Sequence, residues 1–581
     1  MKLPYYRSMQ TAVSANVQNG RAGACTTYYS AFDPEVNTIV RLKNQRTPAA
    51  KQIRGMDYNQ QSNLFFVEKV ANEEQVFLFN IQSAPDLWAA FFSPDNQKFR
   101  ELYEKYEKDE NFKKTYVAAR DTLLTEEVEA YETGRAYVSF MDEINRHTPY
   151  LDTIYSSNLC AEVVEPTYGY DNMQQLYTAG PSARTKVWVD GTNAFGEFFS
   201  VDPVEVEGIP YKIAASELKP GMMLKVPTET GYTTHCIDRI EIQEKEPEVA
   251  LCSLGAIVIT NVTSDEEYYQ AMYYTLLMVD KCIHMSDYTL PHVGYTAKNR
   301  LAAAVGIMDL AHHMARKKLK YSSKAGKEEI HRVFERHMYF AIKASLKLAQ
   351  ELGPCPWSHR TKWARGWLPI DTYNRNVDKI VQVPLQYDWE TLRAEVVANG
   401  GIRNSALVAF MPGESSSKAS GTANGVYPIR ELTMMKTDNN LTTYWAAPHS
   451  DKLGRHYELA WDIPTKDLIE CYGIMQKFTD QAISADLYRK ITGSEKVTTS
   501  EMIENYIHMA LVGMKTRYYT NTHTAGAFIE EDAEGRKSGI TDVDTGGDGQ
   551  APAPVADGQA PSAMQAFVDE FGAAECEGCK M

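Results

Sequence analysis

Three short stretches carry the residue types that do thiol chemistry. Ser157-Asn158-Leu159-Cys160-Ala161-Glu162 sets an amide, a thiol and a carboxylate at alternating positions. Ala250-Leu251-Cys252-Ser253-Leu254 holds a second thiol among apolar neighbours, and the chain closes with Cys576-Glu577-Gly578-Cys579. In an extended segment alternate side chains share one side, so Asn158, Cys160 and Glu162 would converge on one small substrate. A cysteine in an apolar context is usually a small buried hydrophobe, and Cys160 or Cys252 alone would be read that way. The terminal dithiol shifts the reading: a Cys-x-x-Cys needs a disulfide to reduce, and exchange needs a thiolate with access to it. Together they point to redox chemistry in which thiols inside the protein are oxidised and then reset.

The other candidate motifs are weaker singly. Met411-Pro412-Gly413-Glu414-Ser415-Ser416-Ser417 follows an apolar run and leads into Gly421-Thr422-Ala423-Asn424-Gly425. Hydroxyls and free backbone amides at such a place can cradle a phosphate, although most polar strings of this kind are surface loops. Tyr518-Tyr519 is one of several adjacent tyrosine pairs, and two stacked phenols can relay an electron and a proton. His312 and His313 are neighbours, not i,i+4 partners, and there is no second Cys-x-x-Cys, so no metal site is expected.

With 76 acidic and 60 basic residues the chain carries a formal charge of -16 and no long basic run. Binding to nucleic acid or to a membrane surface by counterion release is therefore disfavoured. No signal-like apolar run opens the sequence and no stretch of about 18 apolar residues is found, so a cytoplasmic protein is expected. Nine cysteines in 581 residues do not make a disulfide framework.

The elements that would hold these residues read as α/β. Helical periodicity is expected over 96–114, 117–133, 265–286, 298–319 and 327–352, with extended segments at 138–141, 157–164 and 405–410. Between 173 and 245 Val-x-Val alternation and turn signals predict a β-rich insertion. Beyond about residue 530 the chain is Gly, Asp, Ala and Pro, repeating Asp-Gly-Gln-Ala-Pro. Such a segment buries too little apolar surface to fold, and 531–581 is expected to be a flexible, disordered tether delivering Cys576 and Cys579.

In order, Asn158-x-Cys160-x-Glu162, Cys252, the 412–417 loop, Tyr518-Tyr519 and the terminal cysteine pair resemble the large catalytic subunit of class I ribonucleotide reductase. Stretches such as KNQRTPAAKQIRGMDY, GPCPW, LPIDTY and GIRNSALVAFMP extend that resemblance over most of 4–172 and 246–530. It implies a ten-stranded α/β barrel, with parts at 1–172 and 246–530, around a finger loop that bears Cys160 as a thiyl-radical site. In that role Glu162 would be general base on a 3′-hydroxyl and Asn158 would hydrogen-bond a ribonucleoside diphosphate. Cys252 would supply reducing electrons, Ser157, Glu414, Ser415 and Ser416 would bind substrate, and Tyr518 and Tyr519 would end a radical path. That path would start at a separate small subunit holding a tyrosyl radical and a di-iron centre. Cys576 and Cys579 would reset the active-site disulfide and be recharged by thioredoxin or glutaredoxin.

Two departures qualify the resemblance. Met1 falls where the family's chain is already inside the barrel, so a separate N-terminal fragment is expected to supply the partner thiol of Cys252. The 173–245 segment also separates Cys160 from Cys252 more widely than the family does. A competing expectation is a noncatalytic subunit serving assembly or regulation, against which stands the retention of every motif residue.

Overall fold

The computed structural model describes residues 2–18, 21–192, 195–228, 231–242, 245–438, 441–491 and 497–524. Its organising feature is a run of strands joined edge to edge. β1 (Thr26–Ser30), β2 (Asp57–Ser62) and β3 (Ala136–Phe140) are parallel neighbours. β3 pairs antiparallel with a short strand at Thr516–Arg517. From there backbone hydrogen bonds continue the run: Tyr518 N to Ala485 O, Ser484 N to Phe410 O, Gln481 N to Val408 O and Val305 N to Leu407 O. It ends in two parallel strands, Ala304–Met308 and, at the far edge, Leu254–Val258. Near-continuous burial of β2, β3 and Ala304–Met308 is what parallel strands covered on both faces require, whereas the edge strand Leu254–Val258 buries only Ile257 fully.

The α/β expectation therefore holds. The strand pairings trace no closed ten-stranded ring: the run stays open at Thr26–Ser30 and at Leu254–Val258 among the described residues.

The helices pack outside this run. α1 (Asn96–Lys108) starts where Asp95 accepts hydrogen bonds from the amides of Gln97 and Lys98, and it stops six residues earlier than its periodicity predicts. α2 (Ala119–Thr133) ends at Gly134, whose φ of 70° gives the left-handed turn that leads into β3. α3 (Asp265–Met285) opens with a Ser264/Glu267 capping box. α4 (Lys324–Leu352), capped by Ser323, lies along α3 over the central strands.

Two expectations fail. The helix predicted over 298–319 is broken, because one helix ends at Arg300, Leu301 turns left-handed, and Ala304–Met308 is a central strand before helix resumes at Leu310. Its apolar run, Ala-Val-Gly-Ile-Met, fits either state by periodicity alone. The segment 157–164 is not one extended run either: a turn at 159–161 reverses it.

Within 173–245 six strands, Arg184–Val189, Phe195–Phe199, Pro203–Val206, Ile213–Ala214, Met223–Thr228 and Gly231–Ile242, form one antiparallel sheet. It buries its own cluster of Val187, Val206, Leu218, Leu224 and Ile237. His359 Nε2 against Val201 O (2.8 Å), an Arg365–Glu217 ion pair and the Ser182 and Ala183 amides on Glu246 tie it to the body.

Candidate active site

Cys160 sits at the tip of a turn held from below by its own backbone. Ala161 N donates to Asn158 O (3.2 Å) and Asn158 N donates to Val163 O (3.1 Å). Ala161 takes φ = 64°, a left-handed conformation rare outside glycine, and is wholly buried. That reversal, not alternation along a strand, brings the motif side chains together. β1 braces the loop from one side through Tyr28 Oη to Asn158 O (2.6 Å) and Thr26 Oγ1 to Leu159 O (2.9 Å). Ser484 braces it from the other, donating to Cys160 O (2.7 Å) and to Glu162 Oε2 (3.2 Å).

The Asn158 amide is fully oriented. Its Oδ1 accepts from Val163 N (3.1 Å) and Ser157 Oγ (3.3 Å), which turns Nδ2 onto Cys252 Sγ at 3.3 Å. Ser157 Oγ also donates to Val163 O (2.9 Å). Cys252 lies just before the edge strand Leu254–Val258 and is open to solvent.

Burial, and next the charge of Glu162, pushes the Cys160 thiol up to about 12, while a hydrogen bond with Tyr518 opposes the rise. The same two causes carry the Cys252 thiol to about 12 despite its solvent-exposed face, and the Asn158 amide pulls it back. Both stay S–H near neutral pH. Burial also lifts Glu162, against hydrogen bonds from Asn158 and Ser484.

Behind Cys160 stands a stack of phenols. Tyr518 and Tyr519 have ring centroids 3.8 Å apart, and Tyr518 Oη donates to Tyr519 Oη at 2.8 Å. Arg135 Nη1 donates to Tyr519 Oη (2.6 Å) and its guanidinium lies over that ring. Tyr518, Tyr137 and Ala161 pack together, with Cys160 and Tyr519 against them. The pair is placed by Arg517, fully buried and salt-bridged to Glu126 and Glu127 of α2.

The 412–417 loop follows the 405–410 segment beside Ala304–Met308. A Cβ at Gly413 would sit 2.4 Å from Met308 Sδ, so any larger residue there would have to displace the Met308 side chain. Gly413 N donates to Asn424 Oδ1 (2.7 Å), whose Nδ2 donates to Glu414 Oε1 (3.0 Å), and a short helix spans Glu414–Ser420. Glu414, Ser415 and Ser416 are exposed at its first turn, with their amides outside the helix ladder.

The structure thus brings together Asn158, Cys160, Glu162, Cys252, Tyr518 and Tyr519, with Ser157 beneath them. Cys576 and Cys579 lie outside the described residues. Arg135, Ser484, Thr26 and Tyr28 belong to no local motif and were missed. The sequence carries no signal for them, since each reaches the loop from a distant segment. All seven cysteines of the described residues are free. Among those residues no cluster of His, Cys, Asp or Glu is arranged to hold a metal ion, and no helix is long and apolar enough to cross a membrane.

The structure is thus a run of strands that carries a turn with a thiol at its tip, set against a pair of phenols. The sequence matches the model of the ribonucleotide reductase barrel domain over residues 2–449 and 435–520, and the chain belongs to that family. It is 30% identical over 539 residues to the ribonucleoside-diphosphate reductase subunit alpha of Haemophilus influenzae, covering 92% of this chain and 62% of that one. To the subunit alpha of Escherichia coli reductase 1 it is 30% identical over 537 residues, 91% of this chain and 61% of that one. To the subunit alpha of Enterobacteria phage T4 it is 28% identical over 548 residues, 92% and 62%. The chain spans about three fifths of the length of these relatives.

Proposed function

We propose that the chain forms the catalytic part of a ribonucleoside-diphosphate reductase large subunit, reducing ribonucleoside diphosphates to deoxyribonucleoside diphosphates for DNA synthesis. One observation carries this reading: Cys160 touches a stacked phenol pair and feels the charge of Glu162, which also acts on Cys252, itself 3.3 Å from the Asn158 amide. An oxidising equivalent arriving through phenols thereby meets a thiol beside a base and a second thiol.

That equivalent would come from a tyrosyl radical and di-iron centre held by a separate small subunit. Tyr519 and Tyr518 pass it inward, the proton moving along their 2.8 Å hydrogen bond. Cys160, kept as S–H by burial, gives up a hydrogen atom and as a thiyl takes the substrate's 3′-hydrogen. Glu162 accepts the 3′-hydroxyl proton, the 2′-hydroxyl takes a proton from the Cys252 thiol and leaves as water, and once the ring is reduced Cys160 gives the hydrogen atom back to C3′ and is a thiyl again. Cys252 and a second thiol give two electrons and become a disulfide, which Cys576 and Cys579 reduce before recharging by a thioredoxin or glutaredoxin. The exposed first-turn amides and hydroxyls of Glu414, Ser415 and Ser416 hold the diphosphate, with Ser157 and Asn158 facing the sugar.

The reading includes a barrel of ten strands. A separate N-terminal polypeptide closes it by pairing along the open edges of Thr26–Ser30 and Leu254–Val258 and brings the second thiol to Cys252. Open edges beside the thiols support this.

The test is product formation by this chain with a radical-bearing small subunit, that polypeptide and dithiothreitol. Cys160→Ala is expected to abolish deoxyribonucleotide formation while thiol exchange at Cys576 and Cys579 persists; undiminished reduction by Cys160→Ala would overturn the reading.

A further inference from the structure

The phenol stack has a third member. Tyr137, on β3, is wholly buried, and its ring centroid lies 4.7 Å from that of Tyr518 and 5.9 Å from that of Tyr519. Packing alone would be met by phenylalanine. Instead the hydroxyl, on a wholly buried ring, donates to the partly buried Asp57 Oδ2 at 2.8 Å, so the polar oxygen is matched to an acceptor. Two cations fix the position of Asp57: Lys43 Nζ is 2.9 Å from its Oδ1, and Arg135 Nη1 is 3.5 Å from Oδ2. The same Arg135 donates to Tyr519 Oη, so one guanidinium bridges the carboxylate and the outer phenol of the pair.

We propose that Tyr137 is a redox-active phenol of this stack, a side position at which the oxidising equivalent rests off the line from Tyr519 to Cys160. The inference rests on the relay reading of Tyr518 and Tyr519. In the step, the Tyr519 phenoxyl takes one electron from Tyr137 and one proton from solvent at its half-buried hydroxyl, and becomes a phenol. Tyr137 loses that electron, its O–H bond breaks, the proton joins Asp57 Oδ2, and a neutral phenoxyl remains. The return step reverses both transfers. Ring contact makes the electron's path short, and the preformed hydrogen bond gives the proton a place to go without a free charged phenol in the core.

The experiment replaces Tyr137 with 3-aminotyrosine, a more easily oxidised phenol, in the full chain assembled with the radical-bearing small subunit, the N-terminal polypeptide and a ribonucleoside diphosphate. Electron paramagnetic resonance is recorded beside the same substitution at Tyr518. An aminotyrosyl radical at both positions is expected. Asp57→Asn should remove the signal at 137 and leave that at 518, which also reports that the variant folds. A signal at 518 with none at 137 overturns this inference and leaves the relay standing. Signals at neither position overturn the relay with it, and a signal at 137 indifferent to Asp57→Asn overturns the role of Asp57 as proton acceptor.

Discussion

The side-chain amide nitrogen of Asn158 lies 3.3 Å from the sulfur of Cys252, joining positions 94 residues apart in the chain. A donor on a sulfur favours the thiolate, and here it partly offsets burial and the nearby Glu162 charge. Asn158→Ala is therefore predicted to raise the Cys252 pKa further. The pH midpoint of iodoacetamide alkylation at Cys252, followed by mass spectrometry, should move to higher pH. A midpoint that stays or falls would show that the amide does not govern this thiol.

Ala161 supplies a stability test. At φ = 64° an L-residue bears a strain of ~1 kcal/mol that glycine does not. Ala161→Gly is expected to leave stability unchanged or raise it by up to about 1 kcal/mol, since the looser unfolded chain offsets part of the gain. Ala161→Val adds β-branching to a strained backbone at a site with no exposure and should destabilise. Denaturant midpoints at constant m-value decide between them.

Arg517 is wholly buried between Glu126 and Glu127. Removing the cation alone leaves carboxylates uncompensated in the core, so Arg517→Met should cost about 3–5 kcal/mol. Adding Glu126→Gln and Glu127→Gln to that variant should recover a large part of the loss, because the three residues act as one unit. Additive losses would argue that Arg517 is held by packing.

Glu162 sets a pH limit. A base must be ionised to work, and burial raises this carboxyl above the usual glutamate value of about 4.3. The acid limb of kcat/KM against pH is therefore expected above that value. Ser484→Ala, which deletes a donor to the carboxylate, should shift the limb further up. Stability follows the opposite sense. The folded state holds the Glu162 proton more tightly than the unfolded chain, so this contribution is full below the unfolded value and is lost as pH rises through the folded one.

Sequence reasoning reached the types and grouping of the motif side chains but not the geometry that groups them. Asn158, Cys160 and Glu162 converge through the Ala161 reversal, and no local pattern marks alanine as left-handed. The β-rich character of 173–245 was legible because turn residues and period-two alternation are local signals. Ala304–Met308 was not: a short apolar run flanked by helix has the same composition whether it is a buried strand or a buried turn of helix, and only its hydrogen bonds to Leu254–Val258 decide. Arg135, Ser484, Tyr28 and Tyr137 act through contacts between distant segments, which a single sequence does not encode as a spacing.

The most direct test of the central claim is tritium release from a [3′-³H]ribonucleoside diphosphate by the assembled enzyme, wild type beside Cys160→Ala. Release from the wild type and none from the variant is the predicted result, since the Cys160 sulfur is the group that takes the 3′-hydrogen. Equal release from both would contradict it.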